Sequence, residues 1–199
     1  LGWRRLARSN VMVNVTSGDS AEEFLVDYFR AIEPPVLIAP ATPAVRIPMI
    51  PLVVAPHDWQ VLDANPVGMF STRHRLQPSC MGQYRKYEAV VRGGGGAWFA
   101  AQAASGQVVG MSTVRLDDSG ACQVDGFAHR RFGDSWKDLL QAAIDWAVSR
   151  GASTVRARLS VEDEERRALF ESLGLRAAGP GDDFDLDERA VGSVWLERG

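Results

Sequence analysis

Residues 130–135 read Arg-Arg-Phe-Gly-Asp-Ser, between a strand-like run at 121–128 and a helical pattern that begins near Trp136. An arginine, two residues, a glycine, one residue and a small residue at a strand-to-helix junction make a loop suited to a pyrophosphate. The first N–H groups of a helix have no partner within it, and the helix dipole adds about half a positive charge there. Gly133 lets the main chain approach an anion with no Cβ between them. Ser135 is small and is expected to cap the helix, while Arg130 and Arg131 offer planar, forked cations. Six residues of this kind gain meaning only from the elements that hold them.

Those elements are regular from residue 97 onward. Residues 97–103 and 108–116 read as a hairpin around Ser105-Gly106, and Asp117-Asp118-Ser119-Gly120 turns the chain into a third strand at 121–128. Trp136, Leu139, Leu140, Ala143, Ile144 and Ala147 recur at helical spacing, and Gly151 ends that helix. A strand at 154–159 follows, with Val155, Ala157 and Leu159 on one face. A helix at 163–173 is stopped by Gly174, and residues 193–197 can close a last strand. Upstream, 47–55 reads as an edge strand because Pro48 and Pro51 interrupt it. Residues 57–64 and 79–92 read as helices, and Gly93–Gly96 as a flexible link. Residues 1–44 form an N-terminal extension, a strand at 11–15 and a helix at 20–32. It is either the remnant of a duplicated module or a segment packed on the main domain, 45–199.

Composition narrows the class. The 199 residues are 46% hydrophobic and 24% charged, which suits one soluble domain with an extension. A net charge of −3 argues against a nonspecific nucleic-acid binder. No apolar run reaches the roughly 18 residues of a membrane span, and no secretory signal is read. Cys80 and Cys122 stand alone, so a cytoplasmic protein with reduced thiols is expected. His57 and His74 lack metal-ligand spacing, and no metal is expected.

In this order of elements the chain resembles the GNAT superfamily of acyl-CoA-dependent N-acyltransferases. The likeness covers roughly residues 45–199 and is most specific between Trp98 and Leu175. The family loop is Arg or Gln, two residues, Gly, one residue, then Gly or Ala; residues 130–135 fit with Ser135 in the last place. A register from Arg131 keeps the usual distance to Leu139-Leu140 but loses Gly133, so the first is preferred. Residues 167–175, Arg-Ala-Leu-Phe-Glu-Ser-Leu-Gly-Leu, look like the family ending Ala-x-x-Leu-Tyr-x-x-x-Gly-Phe, at the proper separation. Three positions depart. The tyrosine that can protonate the departing thiolate falls on Phe170, the asparagine before its helix falls on Asp163, and Asp134 puts a carboxylate in the loop. Like charges about 4 Å apart repel by about 1 kcal/mol in water and about 4 at an effective dielectric of 20.

The resemblance implies an α/β (α+β) fold, a mixed, mostly antiparallel central sheet flanked by helices. It implies N-acetyl transfer from acetyl-CoA to a primary amine of a small molecule or peptide. Backbone N–H groups at Phe127, Ala128 and His129, with the loop Arg130, Arg131, Phe132, Gly133, Asp134 and Ser135, would contact the donor, as would Asp163 and Phe170. Asp125 is the candidate carboxylate base, or else an ordinary strand aspartate. His129 titrates near neutrality and can shuttle protons, or else faces solvent. Tyr84 and Tyr87 fall where the acceptor pocket is walled, or else pack in the core. Trp136 and Trp146 are expected in the core, and the run Glu162–Arg167 as a solvated face. A homodimer through pairing at residues 193–197 is one route to assembly. The departures leave a second class open, a GNAT-like module without catalysis that binds CoA or another ligand in sensing or assembly.

Overall fold

The computed structural model describes residues 2–5, 12–15, 27–54, 88, 91–186 and 189–199. Its strands are β1 (Gly2–Arg5), β2 (Met12–Val15), β3 (Val36–Pro40), β4 (Gly96–Ala103), β5 (Val108–Leu116), β6 (Ala121–Ala128), β7 (Thr154–Ser160), β8 (Arg176–Leu186) and β9 (Arg189–Arg198). The helices are α1 (Ile50–Val54), α2 (Gly133–Ser149) and α3 (Glu164–Ser172), with a further helical stretch at 27–30. β1 and β2 pair with each other; the remaining strands form one sheet in the order β3-β4-β5-β6-β7-β9-β8. Every neighbouring pair in it is antiparallel except β6 and β7. Parallel neighbours cannot be joined by a tight turn, so α2 carries the crossover between them. The expected mixed, mostly antiparallel sheet flanked by helices is the fold observed.

α2 buries the periodic residues read from the sequence, Trp136, Leu139, Leu140, Ala143, Ile144 and Ala147. It lies close to the sheet because the strands beneath it carry small residues. A Cβ at Gly110 would stand 2.7 Å from Leu139 Cδ1 and 2.8 Å from the Ala128 Cβ. Next to it the Ser112 hydroxyl donates to the Leu139 carbonyl at 2.7 Å. Gly151 and Gly174, with φ of 73° and 90°, end α2 and α3 in the left-handed region that glycine tolerates.

Several expectations change. Residues 47–55 are not a strand: a 3-10 turn, Pro43–Arg46, leads into α1. Pro48 and Pro51 lack the N–H a ladder needs, and Val45, Met49 and Leu52 are buried at helical spacing. The edge strand is β3 instead, so the sheet begins upstream of residue 45, and Phe29 and Ile32 already belong to its core. β8 is an element the sequence reading does not include. It forms at the sheet edge, where Pro180 is tolerated, with register shifts at Ala177/Gly179 and Gly181/Phe184. Residues 193–197 lie inside β9, paired on one side with β7 and on the other with β8, so they offer no free edge for a partner. α2 starts at Gly133, three residues before the expected Trp136. The helix expected at 57–64 lies outside the described residues, as does most of that at 79–92. Among the described residues, no helix is long and apolar enough to cross a membrane.

Candidate active site

The site begins where the two parallel strands part. β6 and β7 are paired only at Ala121–Thr154, Cys122–Val155 and Gln123–Arg156, although each strand continues beyond. The closed end is fastened by an ion pair between Arg156 and Asp117, and the Arg156 guanidinium lies 4.9 Å from the Trp195 ring centre. Toward Ala128 the edge of β6 is turned to the opening. The His129 N–H donates to the Val109 carbonyl at 2.7 Å. Antiparallel pairs alternate, so Phe127 also faces β5, and Gly126 and Ala128 direct their main-chain groups the other way. The Gly126 carbonyl accepts from Trp136 Nε1 at 2.9 Å, and the Gly126 N–H donates to Asp125 Oδ1 at 2.7 Å. Of the three N–H groups expected to meet a donor, that of Ala128 has the right direction. Those of Phe127 and His129 are turned into the sheet.

The loop folds as a 3-10 turn, Arg130–Phe132, that runs directly into α2. Ser135 does not cap: it sits buried within the first turn, and the cap position of α2 is Phe132, with no side-chain bond. A side chain caps the 3-10 turn instead. His129 Nδ1 accepts the Arg131 N–H at 3.3 Å, and its carbonyl accepts the Phe132 N–H at 2.7 Å. Gly133 has helical dihedrals, φ −54° and ψ −36°, and its N–H donates to the Arg130 carbonyl. A Cβ at this position would meet nothing within 4 Å, so its surface is open. Asp134 is exposed in the first turn, where a carboxylate complements the helix dipole. Phe132 is buried in the core and Arg130 is exposed. Arg131 turns back: its Nη1 donates to the Phe29 carbonyl at 2.7 Å and to that of Arg30.

Asp125 stands two residues beyond the last paired position of β6, in the cross-strand row Trp98–Thr113–Asp125. It is 1% exposed and forms an ion pair with Arg166, which is 0% exposed and the largest fully buried side chain among those described. The run at 162–167 is therefore not a solvated face throughout. Arg166 and Phe170 on α3 and Leu173 at its C-cap share one stripe at spacings of four and three, and the Arg166 guanidinium lies 5.9 Å from the Phe170 ring. That stripe was the available signal for Arg166, and charge composition masked it. Asp163 Oδ1 accepts the Arg166 N–H at 3.2 Å as the cap of α3. Phe170 is fully buried. Tyr84 and Tyr87 lie outside the described residues. Among the described residues no group of three or more His, Cys, Asp or Glu is arranged to hold a metal.

Strand order, the parted parallel pair and the helix-start loop together give the chain the fold of the GNAT acetyltransferases. A GNAT-family acetyltransferase of Streptococcus pneumoniae superposes with a TM-score of 0.63 at 12% identity, over 82% of this chain and 99% of its own. Ribosomal-protein-alanine N-acetyltransferase of Brucella melitensis gives 0.60 at 18% identity, over 81% and 98%. Spermidine N-acetyltransferase of Vibrio cholerae, solved in complex with CoA and spermine, gives 0.62 at 12% identity, over 82% and 94%. At such identities the likeness is one of fold. No protein-family model matches the sequence, and no curated protein matches it.

Proposed function

We propose that the chain is an acyl-CoA-dependent N-acyltransferase, moving an acetyl group from acetyl-CoA to a primary amine of a small molecule or a peptide. The observation that carries this is the parting of β6 from β7 directly in front of the loop and the start of α2. The residues present suit a nucleotide thioester. The open surface at Gly133 admits an anion to the start of α2, Arg130 is exposed beside it, and the Ala128 N–H is directed into the opening. The Vibrio cholerae enzyme of the same fold, solved with CoA, supports the choice of donor.

When bound, acetyl-CoA supplies the acyl group already activated as a thioester. The Ala128 N–H is the donor able to face a carbonyl oxygen as it gains negative charge. His129 Nδ1 accepts the Arg131 N–H, which holds the ring beside the loop, where a proton-shuttling role would place it. Asp125 is closed off from solvent in its ion pair with Arg166, and that pair stands between it and a role as the base. Net transfer forms a C–N bond, breaks the C–S bond, and passes the amine's proton to the departing sulfur.

Calorimetric titration with CoA and a thermal scan test the donor. Binding should raise the melting temperature, by mass action on the folded state; no heat and no shift at about millimolar CoA would overturn it. Gly133→Leu sharpens the test, since helical dihedrals and open space let the fold accept the side chain. CoA affinity should collapse while the melting temperature of the free protein stays put. Unchanged affinity rejects the loop as the donor site.

The buried Asp125–Arg166 pair and the fully buried Phe170 favour a second reading, a module that binds CoA without turnover. Thiol release over a panel of amines, measured once CoA binding is established, separates the two. Sustained turnover eliminates the inactive module.

A further inference from the structure

The two arginines of the loop have different tasks. The helical stretch at 27–30 ends where the Ala31 N–H donates to the Asp27 carbonyl at 2.9 Å and the Ile32 N–H to that of Phe29 at 3.3 Å. The last carbonyls of a helix lack partners within it. Arg131, about a hundred residues further along the chain, donates to two of them, those of Phe29 and Arg30. A cation at a helix C-terminus is favoured by the dipole as well. From the same loop, the His129 ring stacks on Phe29, with centroids 4.0 Å apart and planes 10° from parallel. Phe29 and Ile32 are themselves only 1% exposed, within the core of the sheet. The loop is thus held from behind on two of its residues, while Gly133 keeps its open side.

Holding a loop in one backbone conformation costs conformational entropy, and a loop moored before the ligand arrives has met that cost in folding. We propose that Arg131 and His129 are positioning residues for the acyl donor, and that residues 29–30 are their anchor. The proposal rests on the donor reading of the loop given above. Arg131 then acts on a pyrophosphate through the main chain of residues 130–133 rather than by touching it, and the N-terminal stretch becomes part of the donor site.

The test compares the unaltered chain with Arg131→Ala, Arg131→Gln and Arg131→Lys. CoA affinity is measured by calorimetry, and amide exchange is followed in peptides covering 27–35 and 129–136. Arg131→Ala should weaken CoA binding about tenfold, the scale of a lost charge-assisted hydrogen bond. Exchange should quicken in both peptides, and Arg131→Lys, which can still donate to one carbonyl, should recover part of each effect. Equal CoA affinity in Arg131→Ala and the unaltered chain overturns the proposal. So does a loss of affinity with exchange at 27–35 unchanged, which assigns Arg131 a direct contact with phosphate. If the unaltered chain binds no CoA, the donor reading falls first, and the positioning role falls with it.

Discussion

Asp125 and Arg166 lie forty-one residues apart, and the one local sign that either is buried is the helical stripe Arg166 shares with Phe170. Together they place two charges where exposure is 1% and 0%. Desolvation makes such a pair weak as a source of net stability, yet removing one partner strands the other. Arg166→Ala should therefore lower unfolding free energy by about 3–5 kcal/mol, read by urea titration. Asp125→Val with Arg166→Met should return most of that loss; a single variant within about 1 kcal/mol of the unaltered chain would show that the pair is not closed in solution. Asp163 is separable by the same method. Asp163→Ala removes the cap of α3 and should cost about 1 kcal/mol, whereas Asp163→Asn keeps an acceptor oxygen and should stay close to the parent.

At the scale of elements, the opening between β6 and β7 exists because one end is fastened and the other is not. Asp117 makes the fastening. Burial pushes its carboxyl up, but the Ser119 hydroxyl and N–H, the Arg156 guanidinium and the Ala121 N–H outweigh burial and hold it below the usual carboxylate range. A carboxyl lowered in the folded state stabilises fully above its unfolded value and loses that contribution as pH falls through the folded one. The gap in melting temperature between the parent and Asp117→Asn should be open at neutral pH and close on acidification through and below the carboxylate range. A gap independent of pH would remove Asp117 from this role. Gly126 serves the same geometry: a Cβ there would lie 2.8 Å from the Met111 carbonyl and 3.0 Å from the Ser112 Cα. Gly126→Ala should cost about 1–3 kcal/mol by overpacking, seen as a lower urea midpoint; an unshifted midpoint would show that β5 and β6 can part locally.

For the whole molecule, the legible parts are those whose patterns are local. The hairpin β4–β5, β6, α2, β7 and α3 follow from alternation, helical spacing and glycine stops, and they fall within a few residues of their expected bounds. β8 was not legible, since glycine, proline and aspartate read as loop unless a neighbouring strand supplies the pairing. Nor was the exchange of roles between residues 47–55 and β3, because a proline-broken apolar run suits an edge strand or a short helix equally. In the site, the position of the loop was legible; the direction of its groups was not. Ser135 looked like a cap, but the 3-10 turn moves the helix start to Gly133 and leaves Ser135 inside the first turn; His129 caps the 3-10 turn, and the helix itself has no side-chain cap.

The sequence by itself determined the order of elements, the strand-to-helix loop at 130–135 and the likeness that names its fold, because periodicity and turn chemistry act over a few residues. Only the tertiary structure decided what each charge near the opening meets. Arg131 meets the carbonyls of residues 29 and 30, Asp125 meets Arg166, and Asp117 meets Arg156. Each of these contacts joins segments distant in the chain, and their pairing is set by sheet register and helix packing, which no local pattern encodes.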